Sequence, residues 1–227
     1  MFIIHKKNLH YGGFAGLKEH RIVMDVSIFG RHKNRGTADG LGSLLYLADA
    51  QFNPYGETHM HPHHEVDVIS VMIEGQVNHE GSLEHGNVIR AGEVQVQRAG
   101  GEGFTHNEIN PENRQNRMIQ LWFAPQIRGE RAGYQHFDKT DAKVLRVYGG
   151  EDEDTFKSNT IMEVLQLKAG ERFLYEGECQ GYVTKGVLSA DNQSLENGDL
   201  FSSDTLEIEA KEDSQFIFIH LLSQRAV

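Results

Sequence analysis

Short apolar runs closed by Gly, Asn or Asp recur along the chain, and helical periodicity is scarce. Residues 66–73 are almost wholly apolar and end at Glu74-Gly75, while residues 93–97 alternate between polar and apolar side chains. Alternation of period two and short apolar runs between turn residues are typical of strands. Similar runs lie at residues 104–110 and 118–123. The pattern predicts an all-β protein, a barrel or sandwich of short strands.

The pattern of apolar runs and turn residues in the first half of the chain recurs in the second half. Residues 181–189 resemble residues 68–78, with Gly186 in the place of Gly75. A weak internal repeat of this kind suggests two similar β-barrels in tandem. We expect one domain at residues 1–130 and a second at residues 131–227, joined within the polar, glycine-rich stretch after Pro125.

Composition excludes several classes of protein. The net charge of −11 argues against non-specific binding to nucleic acid. There is no run of about 18 apolar residues, so no transmembrane helix is expected. The opening residues are too short to hold the apolar core of a signal peptide, and the expected location is cytoplasmic. Cys179 is the only cysteine, which excludes intramolecular disulfides, and we expect it to be a small buried side chain.

The candidate chemistry lies in two polar groups about forty residues apart. Four of the 13 histidines fall within residues 59–64, and His106 and Glu108 form the second group. Residues two apart on a strand share a face, so His61 and His63 can bind one ion together, and the same holds for the second pair. Adjacent antiparallel strands would then offer three nitrogens and one carboxylate oxygen. Such a set without sulfur suits Fe(II), Mn(II), Ni(II), Cu(II) or Zn(II) and leaves positions for water, substrate or dioxygen.

These residues also carry a resemblance to a family. His61-Pro62-His63, followed by Asp67 and Glu74-Gly75, resembles the first cupin motif in the form found in pirins. The glycine-rich approach to His106-Asn107-Glu108 resembles the pirin form of the second motif. The likeness covers residues 5–125 well and the C-terminal half in outline. It implies a bicupin, which is two tandem cupin (jelly-roll) β-barrels.

The resemblance implies a ligand set. Pirins bind one metal ion, usually iron, in the N-terminal barrel through three histidines and one glutamate. By similarity these are His61, His63, His106 and Glu108. The implied cofactor is Fe(II), with Ni, Cu, Mn and Zn as alternatives. The second half has no His-x-His pair, so its barrel is expected to be structural. The resemblance also implies a monomer.

Three functions remain open from the sequence. Some bacterial pirins act as quercetin 2,3-dioxygenases, which implies oxidation of a flavonol or similar enol by dioxygen. The candidate catalytic proton acceptor is Glu108 itself or an acid from a loop. A eukaryotic pirin is an iron-dependent nuclear co-regulator, which implies a redox-sensing protein that binds a protein partner. The third is another cupin reaction, such as isomerisation or decarboxylation of a small metabolite.

The sequence also predicts the exposure and contacts of the residues around the motifs. His59 is expected either on the strand face of the ligands or in an exposed loop, and His64 is expected to be exposed. Asp67 is expected either to accept a hydrogen bond from a ligand imidazole or to be a solvated carboxylate. His79 is expected at the surface of a hairpin. The glycine-rich residues 100–103 are expected to approach the metal strand closely.

Overall fold

The structure of the protein is a computed structural model that describes residues 1–222. In this range the chain forms strands, one four-residue α-helix, α1 (Val26–Phe29), and two 3-10 helices of three residues, Lys6–Asn8 and Gly30–His32, which confirms the all-β prediction. In chain order the strands are β1 (Phe2–His5), β2 (Tyr11–Phe14), β3 (Leu17–Met24), β4 (Leu44–Phe52), β5 (His61–His63), β6 (Asp67–Glu74), β7 (Gln76–Gly81), β8 (Asn87–Arg90), β9 (Val94–Arg98), β10 (Phe104–Ile109), β11 (Arg117–Phe123), β12 (Gly133–Phe137), β13 (Val144–Gly150), β14 (Ser158–Leu167), β15 (Arg172–Lys185), β16 (Val187–Ala190), β17 (Gln193–Glu196), β18 (Asp199–Ala210) and β19 (Ser214–Leu221). No helix of the described residues is long and apolar enough to cross a membrane.

The chain divides into two compact units. One is Leu9–Thr140, and the other joins Met1–Asn8 to the residues from Asp141 onward. The division therefore falls ten residues after the expected end of the first domain. The opening residues belong with the second unit because β1 pairs antiparallel with β18, placing Ile4 opposite Leu200.

The unit Leu9–Thr140 contains two antiparallel sheets. The larger has the order β12-β9-β6-β11-β4-β3-β2, and the smaller has the order β5-β10-β7-β8. Buried side chains from both sheets form a shared hydrophobic cluster, made of Leu17, Ala50, Phe52, Met72, Val77, Ile89 and Met118. Removing this apolar surface from water stabilises the packing of the sheets. Inward side chains of opposite sheets therefore meet within the same unit.

Strand β9 is buried along its whole length. Its alternation places Val94 and Val96 on one face and Gln95 and Gln97 on the other. Two buried glutamines on one face require hydrogen-bond partners, because an unsatisfied buried amide is costly. This polar face of β9 contributes to the site described below.

The second unit is a single eight-stranded sheet with the order β13-β14-β19-β15-β18-β16-β17 and β1 on β18. Cys179 lies in its hydrophobic core, as expected, and burial raises the pKa of the thiol to about 11. The internal repeat is visible at two turns. Gly75 between β6 and β7 and Gly186 between β15 and β16 both have positive φ angles, 72° and 83°, which favour glycine.

Candidate metal centre

Strands β5 and β10 pair antiparallel and bring three histidines together. His61 lies directly opposite His106, and His63 lies opposite Phe104. The Nε2 atom of His106 is 3.0 Å from Nε2 of His61 and 3.1 Å from Nε2 of His63. The three side chains can each offer a nitrogen within 4.8 Å of the others. This is the spacing that a single metal ion requires.

The protonation state of these rings favours the binding of a metal cation. Burial, together with a smaller contribution from the charges of neighbouring histidines, lowers the pKa of His63 to about 4 and that of His106 to about 2. Both rings are therefore neutral at pH 7 and have lone pairs for a metal. The Nδ1 atom of His61 is 2.8 Å from the backbone oxygen of His59, to which it donates, so Nε2 is the nitrogen of His61 that remains to face a metal ion. Three imidazole nitrogens that converge at about 3 Å, without sulfur, form a donor set that fits one metal ion.

Glu108 lies two residues after His106, fully buried among hydrogen-bond donors. Its carboxylate accepts hydrogen bonds from Ser70 Oγ at 2.9 Å, Gln95 Nε2 at 3.1 Å and Gln120 Nε2 at 3.2 Å. Burial raises the pKa of Glu108 to about 7, although the three donors oppose that rise. Among the described residues, Glu108 is not in the group of side chains whose ligand atoms lie within 4.8 Å of one another. Ligation by Glu108 stays a prediction.

His79 is buried beside the centre, so the expectation of a surface residue is wrong. Its Nε2 is 3.0 Å from Nε2 of Gln97, and its ring centroid is 5.6 Å from that of His106. Strand β7 pairs with β10 and places His79 opposite Glu108. The signal was present in the sequence, because period-two alternation places His79 on the same face as the buried Val77. Burial also lowers the pKa of His79, so the ring is neutral at pH 7.

The extra histidines of the first motif lie outside the cluster. His59 precedes β5, has a φ of 63° and is exposed, which favours the exposed-loop alternative over the strand face. His64 is exposed, as expected, and lies at the edge of a cavity.

Asp67 is not a solvated carboxylate. It is fully buried and accepts hydrogen bonds from Arg98 at 3.0 to 3.3 Å, in the β6–β9 pair that places the two residues opposite each other. A buried carboxylate needs such a partner because its desolvation is costly. Two candidate ligand imidazoles, His61 and His106, use their Nδ1 atoms for other partners.

A cavity of about 520 Å³ opens beside His61 and His63. Seven of the fifteen residues in its wall are aromatic or aliphatic, namely Phe14, Ile28, Phe29, Leu45, Tyr46, Val66 and Trp122. The cation on this wall, Arg21, is balanced by the buried Glu19, which accepts from Arg21 Nε and from the Tyr46 hydroxyl, both at 2.7 Å. The cavity therefore offers an apolar space for a ring system next to the histidines.

A second group of possible ligands lies at the surface of the same unit. His136 Nε2 is 3.6 Å from Glu93 and 3.7 Å from Asp138, and both His136 and Asp138 are exposed. Exposed ion pairs of this kind contribute little to stability. The group is useful as a control in metal-binding experiments.

Comparison with known proteins agrees with this geometry. The family model Pirin matches residues 42–123, which contain all four predicted ligands. A "putative quercetin 2,3-dioxygenase" of Zymomonas mobilis is 34% identical over 193 residues, which cover 78% of this chain and 82% of that protein. A quercetin 2,3-dioxygenase of Escherichia coli K12 is 27% identical over 176 residues, 71% of this chain and 74% of the relative.

The fold is shared with a solved structure. The E. coli bacterial pirin YhhW in complex with nickel(II) superposes with a TM-score of 0.84 at 19% identity, covering 97% of this chain and 98% of that one. This likeness confirms the prediction of two tandem cupin barrels. Together with the identity to the Zymomonas relative and the match of the family model, it shows that the chain belongs to the pirin family.

Proposed function

We propose that the protein is a metal-dependent dioxygenase of the quercetin 2,3-dioxygenase type, with Fe(II) as its metal and a flavonol or similar enol as its substrate. The observation that carries the proposal is the convergence of the Nε2 atoms of His61, His63 and His106 next to an apolar cavity. Relatives named as quercetin 2,3-dioxygenases support the reaction class. Nickel in a pirin of the same fold supports a single metal site of this type.

The chain's own residues would hold the metal and the substrate. The three histidines are the metal ligands, with Glu108 as the fourth. When bound, the ion would supply a Lewis-acid centre for an oxygen of the substrate. The aromatic side chains of the cavity wall, among them Phe29 and Trp122, would bind the planar rings and exclude water from them.

Glu108 is the proposed proton acceptor. Burial raises the pKa of this carboxyl to about 7 in metal-free protein, and a bound cation beside it would lower that pKa and keep the group ionised at neutral pH, as a proton acceptor must be. Gln120, which lines the cavity, donates a hydrogen bond to the Glu108 carboxylate and so connects it to the substrate space. A hydroxyl proton of the enol would pass to this carboxylate.

The test combines elemental analysis with oxygen uptake. Protein purified without a metal-binding resin should contain about one transition-metal ion per chain and should consume dioxygen with quercetin. The variant His106→Ala should lose most of the metal and the oxygen uptake. The matched control is His136→Ala, which removes a histidine of the surface group and should change neither.

Two results would contradict the proposal. Full metal occupancy in His106→Ala would mean that the ligands are misassigned. Metal-loaded protein that consumes no dioxygen with quercetin or related enols would exclude this reaction.

A further inference from the structure

A chain of hydrogen bonds runs behind His106, away from the other two histidines. His106 Nδ1 is 3.0 Å from Gln97 Oε1, Gln97 Nε2 is 3.0 Å from His79 Nε2, and His79 Nδ1 is 3.3 Å from the backbone oxygen of Glu84. The three side chains are buried. Bulk water therefore cannot replace a hydrogen-bond partner that one of these side chains loses.

The direction of every bond in this chain follows from its last member. The backbone oxygen of Glu84 can only accept, so His79 must carry its proton on Nδ1. The Nε2 of the neutral His79 ring is then a bare acceptor, and it must face the NH₂ group of Gln97. The amide oxygen of Gln97 consequently faces His106.

The same argument determines the tautomer of His106 at the metal centre. Because the Gln97 oxygen can only accept, His106 must carry its proton on Nδ1. Its Nε2 is then bare and points toward His61 and His63, at 3.0 and 3.1 Å. A metal binds an imidazole through such a bare nitrogen, and the partner of the other nitrogen fixes which one is bare.

We infer that Gln97 and His79 are positioning residues that hold His106 in the tautomer able to bind a metal ion. The backbone carbonyl of Glu84 is the fixed end of this chain of hydrogen bonds. The inference rests on the metal centre of the proposed function. Neither residue is among the predicted ligands, and neither needs to touch the ion. Their effect passes through the single proton on His106 Nδ1.

The first readout is the tautomer of His106 in metal-free protein, measured by ¹⁵N NMR of the imidazole nitrogens. Wild-type protein should show the Nδ1–H form. Gln97→Leu removes the acceptor from His106, and His79→Phe removes the acceptor from Gln97 while keeping an aromatic ring. Both variants should shift His106 toward the Nε2–H form.

The second readout is the affinity for Ni(II), measured by competition with a chelator. Loss of a partner that orients a ligand histidine typically weakens metal binding by about 10- to 100-fold, and we expect this range for both variants. His79→Gln is the conservative control. Its amide oxygen can still accept from Gln97, so the tautomer and the affinity should stay near those of wild-type protein.

Two positions are tested so that a variant that fails to fold, as judged by circular dichroism, does not decide the outcome. An Nε2–H tautomer in wild-type protein would overturn the inference. So would folded Gln97→Leu and His79→Phe proteins with unchanged tautomer and unchanged affinity. A wild-type protein that binds no Ni(II) would instead contradict the metal centre, because the tautomer is read without metal.

Discussion

Glu108 carries an ionisable group inside a fully buried pocket of donors, and this has a consequence for stability. In metal-free protein the folded state holds the Glu108 proton up to about pH 7, whereas the unfolded chain releases it near the ordinary pKa of 4.5. The stabilisation from this group is therefore complete below the unfolded pKa and is lost as the pH rises through the folded value. The total is about 3 kcal/mol, since one pKa unit corresponds to about 1.4 kcal/mol.

Glu108→Gln should remove this dependence. Between about pH 4.5 and about pH 7, the free energy of unfolding of metal-free wild-type protein should fall relative to that of the variant. Chemical denaturation across that range measures it. Parallel stability curves for the two proteins would show that Glu108 does not titrate in this window.

At the scale of single residues, the sequence predicts what strand geometry alone determines. His61 and His63 share a face because they are two apart on β5, and this periodicity is a local property. The partners of Glu108 come from three other strands, through Ser70, Gln95 and Gln120. Their meeting depends on the order of strands in the sheets, which pairing between distant segments decides.

The turn between β9 and β10 approaches the metal strand as closely as the sequence indicates. A Cβ atom on Gly103 would lie 2.9 Å from the backbone oxygen of His63, and the φ of Gly103 is 74°. Gly103→Ala should therefore strain the turn and displace β5. We expect a lower free energy of unfolding and a weaker affinity for Ni(II), measured by denaturation and chelator competition.

Gly170→Ala is the matched control for that substitution. Gly170 also has a positive φ, 83°, but a Cβ atom there would meet nothing within 4 Å. It should cost about 1 kcal/mol of conformational strain and leave the metal affinity unchanged. Equal effects of the two substitutions on Ni(II) affinity would contradict the role assigned to the contact with His63.

Elements longer than a few residues were predicted best. The apolar run at residues 66–73 corresponds to β6, and residues 118–123 fall within β11. The two-residue spacing of His61 and His63 is local to β5, but the position of this three-residue strand follows from its pairing with β10. The alternation of β7 indicates that His79 is buried, but its place beside the site follows from the pairing of β7 with β10.

At the scale of the whole molecule, the site is contained in one unit and β1 belongs to the other. Deleting Met1–Asn8 would remove the pairing of β1 with β18, including the His5–Asp199 contact at 2.8 Å. Amide hydrogen exchange at residues 199–202 should accelerate. The affinity for Ni(II) should stay the same, because the three histidines lie in Leu9–Thr140.

Two results would contradict this division. Weaker metal binding after the deletion would show that the opening residues support the site. Unchanged exchange at residues 199–202 would show that β1 does not protect β18.

The order of elements along the chain explains why the expected domains and the two compact units differ in where they place β1. The internal repeat indicates two units, and the glycine-rich stretch after Pro125 indicates a join near the one observed. The placement of β1 has no such signal. The four residues of β1 do not indicate which distant strand they pair with. Composition and periodicity therefore assign β1 to the nearest domain.

The pairing of β1 with β18 also affects how the protein is made. His5 and Asp199 are 194 residues apart, so β1 leaves the ribosome long before its partner exists. At about 5 to 20 residues per second, translation of the intervening chain takes roughly 10 to 40 s. Hairpins form in about 1 to 10 μs, so the wait for translation is far longer than the pairing step. Strand β1 is thus incorporated late, and the second unit is completed only after β18 has been translated.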